Sequence, residues 1–195
     1  QPEHARLACR AALEMVATLE ALNQEWAKQE RPPLRVGVGI NSGPVAVGNM
    51  GSDRLFDYTA VGDNVNLASR LEGLNKIYGT NILVSQATAQ ALRNGFTLRE
   101  VDSVQVKGKL QSLAIFEVLK EGPPEPEQAR FLELYHQGLT LYRQRRWSES
   151  RAALHAALEV RPDDIATQNL LKTVEKFQQS PPDETWQPVT IMDGK

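Results

Sequence analysis

The run Tyr58-Thr59-Ala60-Val61-Gly62-Asp63-Asn64-Val65-Asn66-Leu67-Ala68-Ser69-Arg70 holds the residues best suited to chemistry. Asn66 and Arg70 stand four apart, so on a helix their side chains leave one face a turn apart. An amide and a guanidinium held that way can grip a ribose oxygen and a phosphate together. Arginine suits the phosphate because its planar fork donates two parallel hydrogen bonds. The same pair would serve as surface residues of an amphipathic helix, and spacing alone leaves both readings open. A nucleotide site also needs donors for the other phosphates, a base pocket and usually metal ions. His4, His136 and His155 lie far apart with no metal-ligand spacing. There is no P-loop and no Gly-x-Ser-x-Gly turn. Gly37, Gly39 and Gly43 make no dinucleotide fingerprint, since no helix with a later acidic residue follows them.

The elements that must position this pair are signalled locally. Gly62 and Asp63 open a helix over residues 64–77, and Gly79 closes it in the left-handed conformation. Upstream, apolar positions from Leu7 to Trp26 recur three or four apart over residues 4–28, an amphipathic helix ended by Arg31-Pro32-Pro33. Leu34–Ile40 and Pro44–Met50 flank Asn41-Ser42-Gly43, which predicts a hairpin. Its glycines at 37, 39 and 48 weaken it unless something needs close backbone approach. Residues 56–60 form a short extended piece and 81–84 a buried strand, and Ser85 caps a helix over 86–93. Strands at 97–106 and 113–119 flank the turn Lys107-Gly108-Lys109-Leu110-Gln111-Ser112. Helices alternating with hairpins indicate an α/β (α+β) sandwich on a mixed sheet, not a doubly wound parallel one.

Bulk properties narrow the partners. A net charge of −2 gives no general attraction to nucleic acid or anionic membrane, so no nucleic-acid partner is expected and any phosphate site must be local. The single Cys9 excludes an internal disulfide framework and fits a reducing cytoplasm. It lies in an Ala/Leu-rich helical stretch and reads as a small core residue. No run approaches the ~18 apolar residues that cross a bilayer. The chain begins at Gln1 and almost at once enters a helical pattern, which reads as a piece of a longer protein.

Gly122-Pro123-Pro124-Glu125-Pro126 reads as a linker, after which the pattern is all helical. Gly138, Leu141, Tyr142, Trp147, Leu154, Ala157 and Pro162 fall at the offsets of one tetratricopeptide repeat, with Ser150 where the repeat usually has alanine. In that reading Gly138 lets two helices approach, Trp147 fills the turn between them and Pro162 stops the second. Residues 164–178 make a third helix. One repeat cannot bury its own apolar face, so the unit should pack on the preceding domain or on a partner protein. The expected organisation is a domain over 1–121, a linker over 122–127, helices over 128–179 and an extended tail over 180–195, where Trp186 and Ile191 could dock.

Three separated motifs, in order and at the right spacing, resemble class III adenylate and guanylate cyclase catalytic domains. They are Arg35-Val36-Gly37-Val38-Gly39-Ile40-Asn41-Ser42-Gly43, Gly62 to Arg70, and Val106-Lys107-Gly108-Lys109. The resemblance covers the chain up to about residue 119 and implies a ferredoxin-like core whose domains pair head to tail as a homodimer, with active sites at the interface. It implies that Asn66 orients the ribose and that Arg70 stabilises charge on the reacting α-phosphate. Thr59, with Ala60 beside it, falls at the purine-selecting position, where threonine or aspartate marks many adenylate cyclases and cysteine marks guanylate cyclases. Lys107 would contact the terminal phosphates, and Arg35 would reach the pyrophosphate from the other subunit. The implied reaction converts ATP to cyclic AMP and pyrophosphate with two Mg²⁺ or Mn²⁺ ions. Their aspartate ligands are expected upstream of Gln1, because Asp53, Asp57 and Asp63 stand where the family places no metal ligand and read as turn and cap residues. The isolated chain is then expected to be inactive, and its parent to be cytoplasmic or anchored with this part on the cytoplasmic side. Two other readings remain: a non-catalytic module that dimerises and binds a partner, and a guanylate cyclase.

Overall fold

The computed structural model describes residues 3–52, 55–92, 95–106 and 112–192. In chain order the elements are α1 (His4–Ala27), β1 (Val38–Ile40), β2 (Ala46–Ser52), β3 (Leu55–Val61), α2 (Asp63–Tyr78), β4 (Ile82–Ser85), α3 (Gln86–Leu92), β5 (Phe96–Val106), β6 (Ser112–Glu121), α4 (Pro126–Arg143), α5 (Trp147–Val160), α6 (Ile165–Gln179) and β7 (Thr190–Met192). Five strands form one mixed sheet in the order β1-β4-β6-β5-β7, while β2 and β3 form a separate two-stranded ribbon. β1 runs parallel to β4, β6 is antiparallel to both β4 and β5, and β7 is parallel to β5. The α/β class with a mixed sheet is as the alternation of helices and strands predicts.

The all-apolar run Ile82-Leu83-Val84 is buried on both faces, which its lack of polar alternation requires. Ile82 and Val84 face Ala5, Cys9 and Ala12 of α1 together with Leu92 of α3. Leu83 faces the other way, onto Leu71 and Leu74 of α2 with Val104 and Ile115 of the sheet. The sheet thus lies between α1 and α3 on one side and α2 on the other. Cys9 is fully buried, and burial pushes its thiol up to about 11, so it behaves as the expected small core residue.

The predicted hairpin of residues 34–40 with 44–50 does not form. β1 begins only at Val38 and pairs with β4, Val38 opposite Ile82 and Ile40 opposite Val84. β2 instead pairs with β3, which turns the expected extended piece into a full strand and places Asp57 opposite Met50 rather than in a turn. A Cβ at Gly39 would stand 2.2 Å from the Ala68 carbonyl oxygen, so β1 receives α2 closely on its face while its edge pairs with β4.

The C-terminal helices share a core of Phe131, Tyr135, Leu139, Leu154, Ala157 and Val174. Gly138 touches Leu154 where any side chain would collide, and the Ser150 hydroxyl donates to the Gly138 carbonyl at 2.8 Å. The helices pack on the sheet rather than standing free: Tyr135 donates to the Val101 carbonyl at 3.2 Å. Between them lies Arg99, 2% exposed, which bonds Glu117 at 2.9 Å and Asp164 at 2.7 and 2.8 Å, with the Tyr135 ring 4.9 Å from its guanidinium carbon. The tail is not merely extended: Trp186 docks among Tyr142, Trp147 and Phe177, and β7 joins the sheet.

Candidate active site

Helix α2 carries the pair from which the sequence reading starts, and its beginning is fixed three ways. Gly62 precedes it at φ 142°, a conformation that a side chain would strain, and accepts from Val65 N at 3.1 Å and Asn66 N at 3.2 Å. Asn41, in the loop after β1, donates its amide to the Asn64 carbonyl at 3.1 Å and side-chain oxygen at 3.0 Å. Asn64 in turn donates to the Pro44 carbonyl at 2.8 Å. The loop itself is held from the sheet side, where Ser85 donates to Asn41 Oδ1 at 2.6 Å and the hydroxyls of Thr88 and Ser42 lie 3.0 Å apart. Asn41, Asn64, Ser85 and Thr88 form a polar clamp that spacing alone did not single out. Of its contacts, only the bond from Thr88 N to the Ser85 hydroxyl, 3.3 Å, is the local cap the sequence predicts.

From this anchored start Asn66 is exposed and Arg70 half-buried, one turn apart on the same face. No hydrogen bond or ion pair occupies either side chain among the described residues. A guanidinium with no carboxylate beside it keeps its full donor set for an anionic ligand. Thr59 and Ala60 lie on β3, opposite Gly48 and Val47, on the strand that runs through Val61 and Gly62 into α2; Thr59 is exposed and Ala60 half-buried. Thr59, Ala60, Asn66 and Arg70 therefore belong to one continuous strand-to-helix unit.

Arg35 is not brought to them. β1 and its loop run opposite to α2, since Gly37 lies against Glu72 and Asn75 whereas Gly43 lies against Asn64. Arg35 is exposed and lines a cleft of about 710 Å³ with Glu20, Asn23 and, on the last turns of α2, Lys76. At 1.5 Å per residue, Lys76 is roughly 15 Å along the helix from Asn66. Lys107 lies outside the described residues, as do Lys109 and Asp53. Asp63 opens α2 in its first turn. Among the described residues no group of three His, Cys, Asp or Glu side chains could hold a metal ion. The two ions implied by the resemblance do not fit the described residues.

At the far end of α2, Tyr78 donates to Asp102 Oδ2 of β5 at 2.5 Å. Burial, then the charge and hydrogen bond of Asp102, raise the phenol well above its ordinary range, so it remains a donor at any physiological pH. No local signal marks this bond, which joins residues on separate elements. Around Arg99 the charges are shared unevenly. Burial would raise Asp164, yet Arg99 and Thr167 outweigh it and hold that carboxyl below its usual range. Burial also acts on Glu117, and there it prevails over Arg99, so Glu117 is raised.

Comparison with known proteins gives a consistent result. Residues 1–119 match the family of adenylate and guanylate cyclase catalytic domains. Adenylate cyclase 1 of Rhizobium meliloti is 40% identical over 116 residues, covering 60% of this chain and 17% of that protein. The terminal-differentiation-specific adenylate cyclase of Dictyostelium discoideum is 34% identical over 166 residues, covering 82% of this chain and 8% of that protein. The chain thus spans less than a fifth of the length of either relative. The crystal structure of the guanylyl cyclase Cya2 is similar at a TM-score of 0.50 and 33% identity, covering 63% of this chain and 60% of that one.

Proposed function

Because the chain belongs to the adenylate and guanylate cyclase catalytic-domain family, we propose that it supplies the phosphate-gripping half of an adenylate cyclase active site, which converts ATP to 3′,5′-cyclic AMP and pyrophosphate. The observation that carries this reading is the pair of Asn66 and Arg70 on the anchored start of α2, with no hydrogen-bond or ion-pair partner among the described residues, and Thr59 on the strand leading into it. In the reaction the ribose 3′-oxygen bonds to the α-phosphorus and loses its proton, while the bond from that phosphorus to the bridging oxygen breaks and pyrophosphate leaves. Asn66 holds the ribose so that the 3′-oxygen faces the phosphorus, and Arg70 donates to the oxygens on which charge builds. Thr59 presents its hydroxyl to the purine edge. The metal ions would be held by ligands supplied from outside the described residues.

Arg35 acts on the pyrophosphate of the partner's site in a head-to-tail homodimer, which accounts for its distance from Asn66. The β2–β3 ribbon suits such pairing. It stands apart from the main sheet and exposes Val47 (55%) and Tyr58 (76%) on one face, apolar surface that an isolated two-stranded ribbon leaves without cover. The α4–α5 hairpin reads as one tetratricopeptide-like unit that buries its apolar face against Leu171 and Val174 of α6, with Leu119 of β6 beside them, which argues against a free partner-binding module. The parent protein is read as acting in the cytoplasm, in signal transduction.

The test is an assay of the parent protein with ATP and GTP in competition, beside Asn66→Ala and Arg70→Ala. Each substitution should lower kcat by about 10²–10³, the usual cost of losing one transition-state donor. The isolated 195-residue chain should turn over no ATP with Mg²⁺ or Mn²⁺. Unchanged rates in both variants would refute the assigned roles, and preference for GTP would make the protein a guanylate cyclase.

A further inference from the structure

The C-terminal tail makes contacts that reach the helix bearing Asn66 and Arg70. Trp186 is enclosed by Tyr142, Trp147 and Phe177, with ring centroids 5.4, 5.7 and 5.2 Å away. Arg145 lies over the same indole at 5.4 Å and donates to the carbonyls of Asp183 at 2.6 Å and Trp186 at 3.2 Å. Arg145 itself sits at φ 59°, a left-handed conformation that costs a non-glycine residue energy and that the surroundings must hold in place. From this latch the chain runs to Thr190–Met192, which pairs with Val104–Val106 at the end of β5, directly before Lys107 in sequence.

The first residue of that strand touches more than β5. The Thr190 side chain lies close enough to the Tyr78 phenol, which holds Asp102, to favour its ionised form. Tyr78 is the last residue of α2. Two further contacts from the C-terminal helices fall on the same helix end: Asn169 donates to the Ile77 carbonyl at 2.9 Å, and Ile165 fills the space beside Gly79. Helix α2 is therefore fixed at its start by the Asn41 clamp and at its finish by groups from β5, α6 and β7. A rigid helix held at both ends transmits any axial slip at Tyr78 to Asn66 and Arg70.

We propose that residues 183–192 are a positioning strap for the cyclase reaction, latched at Trp186, with Thr190, Tyr78 and Asp102 setting the register of α2 against β5. The proposal rests on the reading that Asn66 and Arg70 act on the nucleotide. None of the four residues touches substrate. Their effect is on the placement of groups that do, and displacements of about 1 Å at such groups cost up to ~10²-fold in rate.

The experiment measures kcat and KM of the parent protein carrying Tyr78→Phe, Thr190→Val, Trp186→Phe or a truncation after Pro182, with Asn66→Ala beside them. Truncation should lower kcat about tenfold while KM changes less than about twofold, because ground-state binding is kept and transition-state alignment is lost. A synthetic peptide of residues 183–195 added in trans should restore the rate. Tyr78→Phe and Thr190→Val, which keep shape and lose the hydroxyl, should show the same kcat-selective loss without a large fall in Tm. Trp186→Phe should retain most of the activity because it keeps an aromatic latch. Truncated protein with unchanged kcat overturns the proposal, and so does a loss that the peptide does not restore. An unchanged rate in Asn66→Ala would instead refute the reading beneath it, so the two failures are distinguishable.

Discussion

The α-carbon of Gly39 faces the carbonyl of Ala68 so closely that an added Cβ would stand 2.2 Å from that oxygen. Strand β1 and helix α2 touch backbone to backbone there. The three atoms nearest to that Cβ are all backbone, with Glu72 N at 2.4 Å and Leu71 C at 3.0 Å, and backbone cannot swing aside as a flexible side chain would. Gly39→Ala must push α2 outward, and overpacking of this kind costs about 1–3 kcal/mol. Gly48→Ala is the control, since nothing among the described residues lies within 4 Å of its added Cβ. Denaturant unfolding should show the first variant destabilised and the second within about 0.5 kcal/mol of the parent. Equal stability of the two would mean that β1 does not abut α2.

The buried Arg99 leads to a pH prediction. Arg99→Met keeps an unbranched apolar body but leaves Glu117 and Asp164 facing each other without their cation, and breaking a buried pair from one side costs about 3–5 kcal/mol. The two carboxyls would then both favour their neutral forms, so their folded-state pKa values lie above the unfolded ones. Groups raised in this way contribute stability that is present at low pH and lost as pH rises through the folded values. The variant should therefore be least stable near neutrality and regain stability as pH falls toward 5. In the parent, Asp164 is depressed, so its contribution has the opposite sign, present above the unfolded value and lost as pH falls through the folded one, and it offsets the raised Glu117, which already contributes in the variant's sense. Tm measured across pH for both proteins checks this, and parallel profiles would contradict the pairing.

What the sequence made legible was local. Gly62 and Gly79 bound α2 by their own conformations, and Ser85 caps α3, so the helix carrying Asn66 and Arg70 emerged with its limits nearly correct. Pairing choices were not legible. Val38–Ile40 has the same β-branched pattern whether it meets a strand six residues later or one forty residues on, and its partner is β4. The polar links that position the site are harder still. Tyr78 reads as a helix-end aromatic and Asp102 as a strand acid, and nothing near either residue names the other or Thr190, more than a hundred residues from Tyr78. The sequence allows Trp186 to dock but cannot name its pocket, which takes three side chains from the two hairpin helices and α6.

Thr59 carries the choice of purine in the proposed site. It is exposed on β3, directly before the half-buried Ala60, so a change of its side chain disturbs little of the core. Thr59→Cys in the parent protein should shift the ratio of kcat/KM for ATP over GTP toward GTP by about tenfold, the scale of one altered polar contact at a base edge. A competition assay with both nucleotides reads the ratio directly. If the ratio stays fixed, the hydroxyl of Thr59 does not meet the base.

The distance between Arg35 and Asn66 allows a test of the dimer itself. If each site draws Asn66 and Arg70 from one protomer and Arg35 from the other, Arg35→Ala and Asn66→Ala homodimers are both crippled, by about 10²–10³. Mixed and allowed to exchange, half of the dimers carry one variant of each kind. In such a dimer the Arg35→Ala protomer supplies an intact Asn66 to a site completed by the intact Arg35 of the other, while the second site bears both losses. Equal mixing should then recover about a quarter of the parent activity, half the dimers with one working site of two in a two-fold assembly. Two variants of the same kind, such as Asn66→Ala with Arg70→Ala, should not rescue each other, because both residues belong to one strand-to-helix unit and every mixed site would still lack one of them. No recovery in the first mixture would place Arg35 in the same protomer's site and remove the reason for its separation from α2's first turns, whereas recovery in the second would mean that Asn66 and Arg70 of one site come from different protomers.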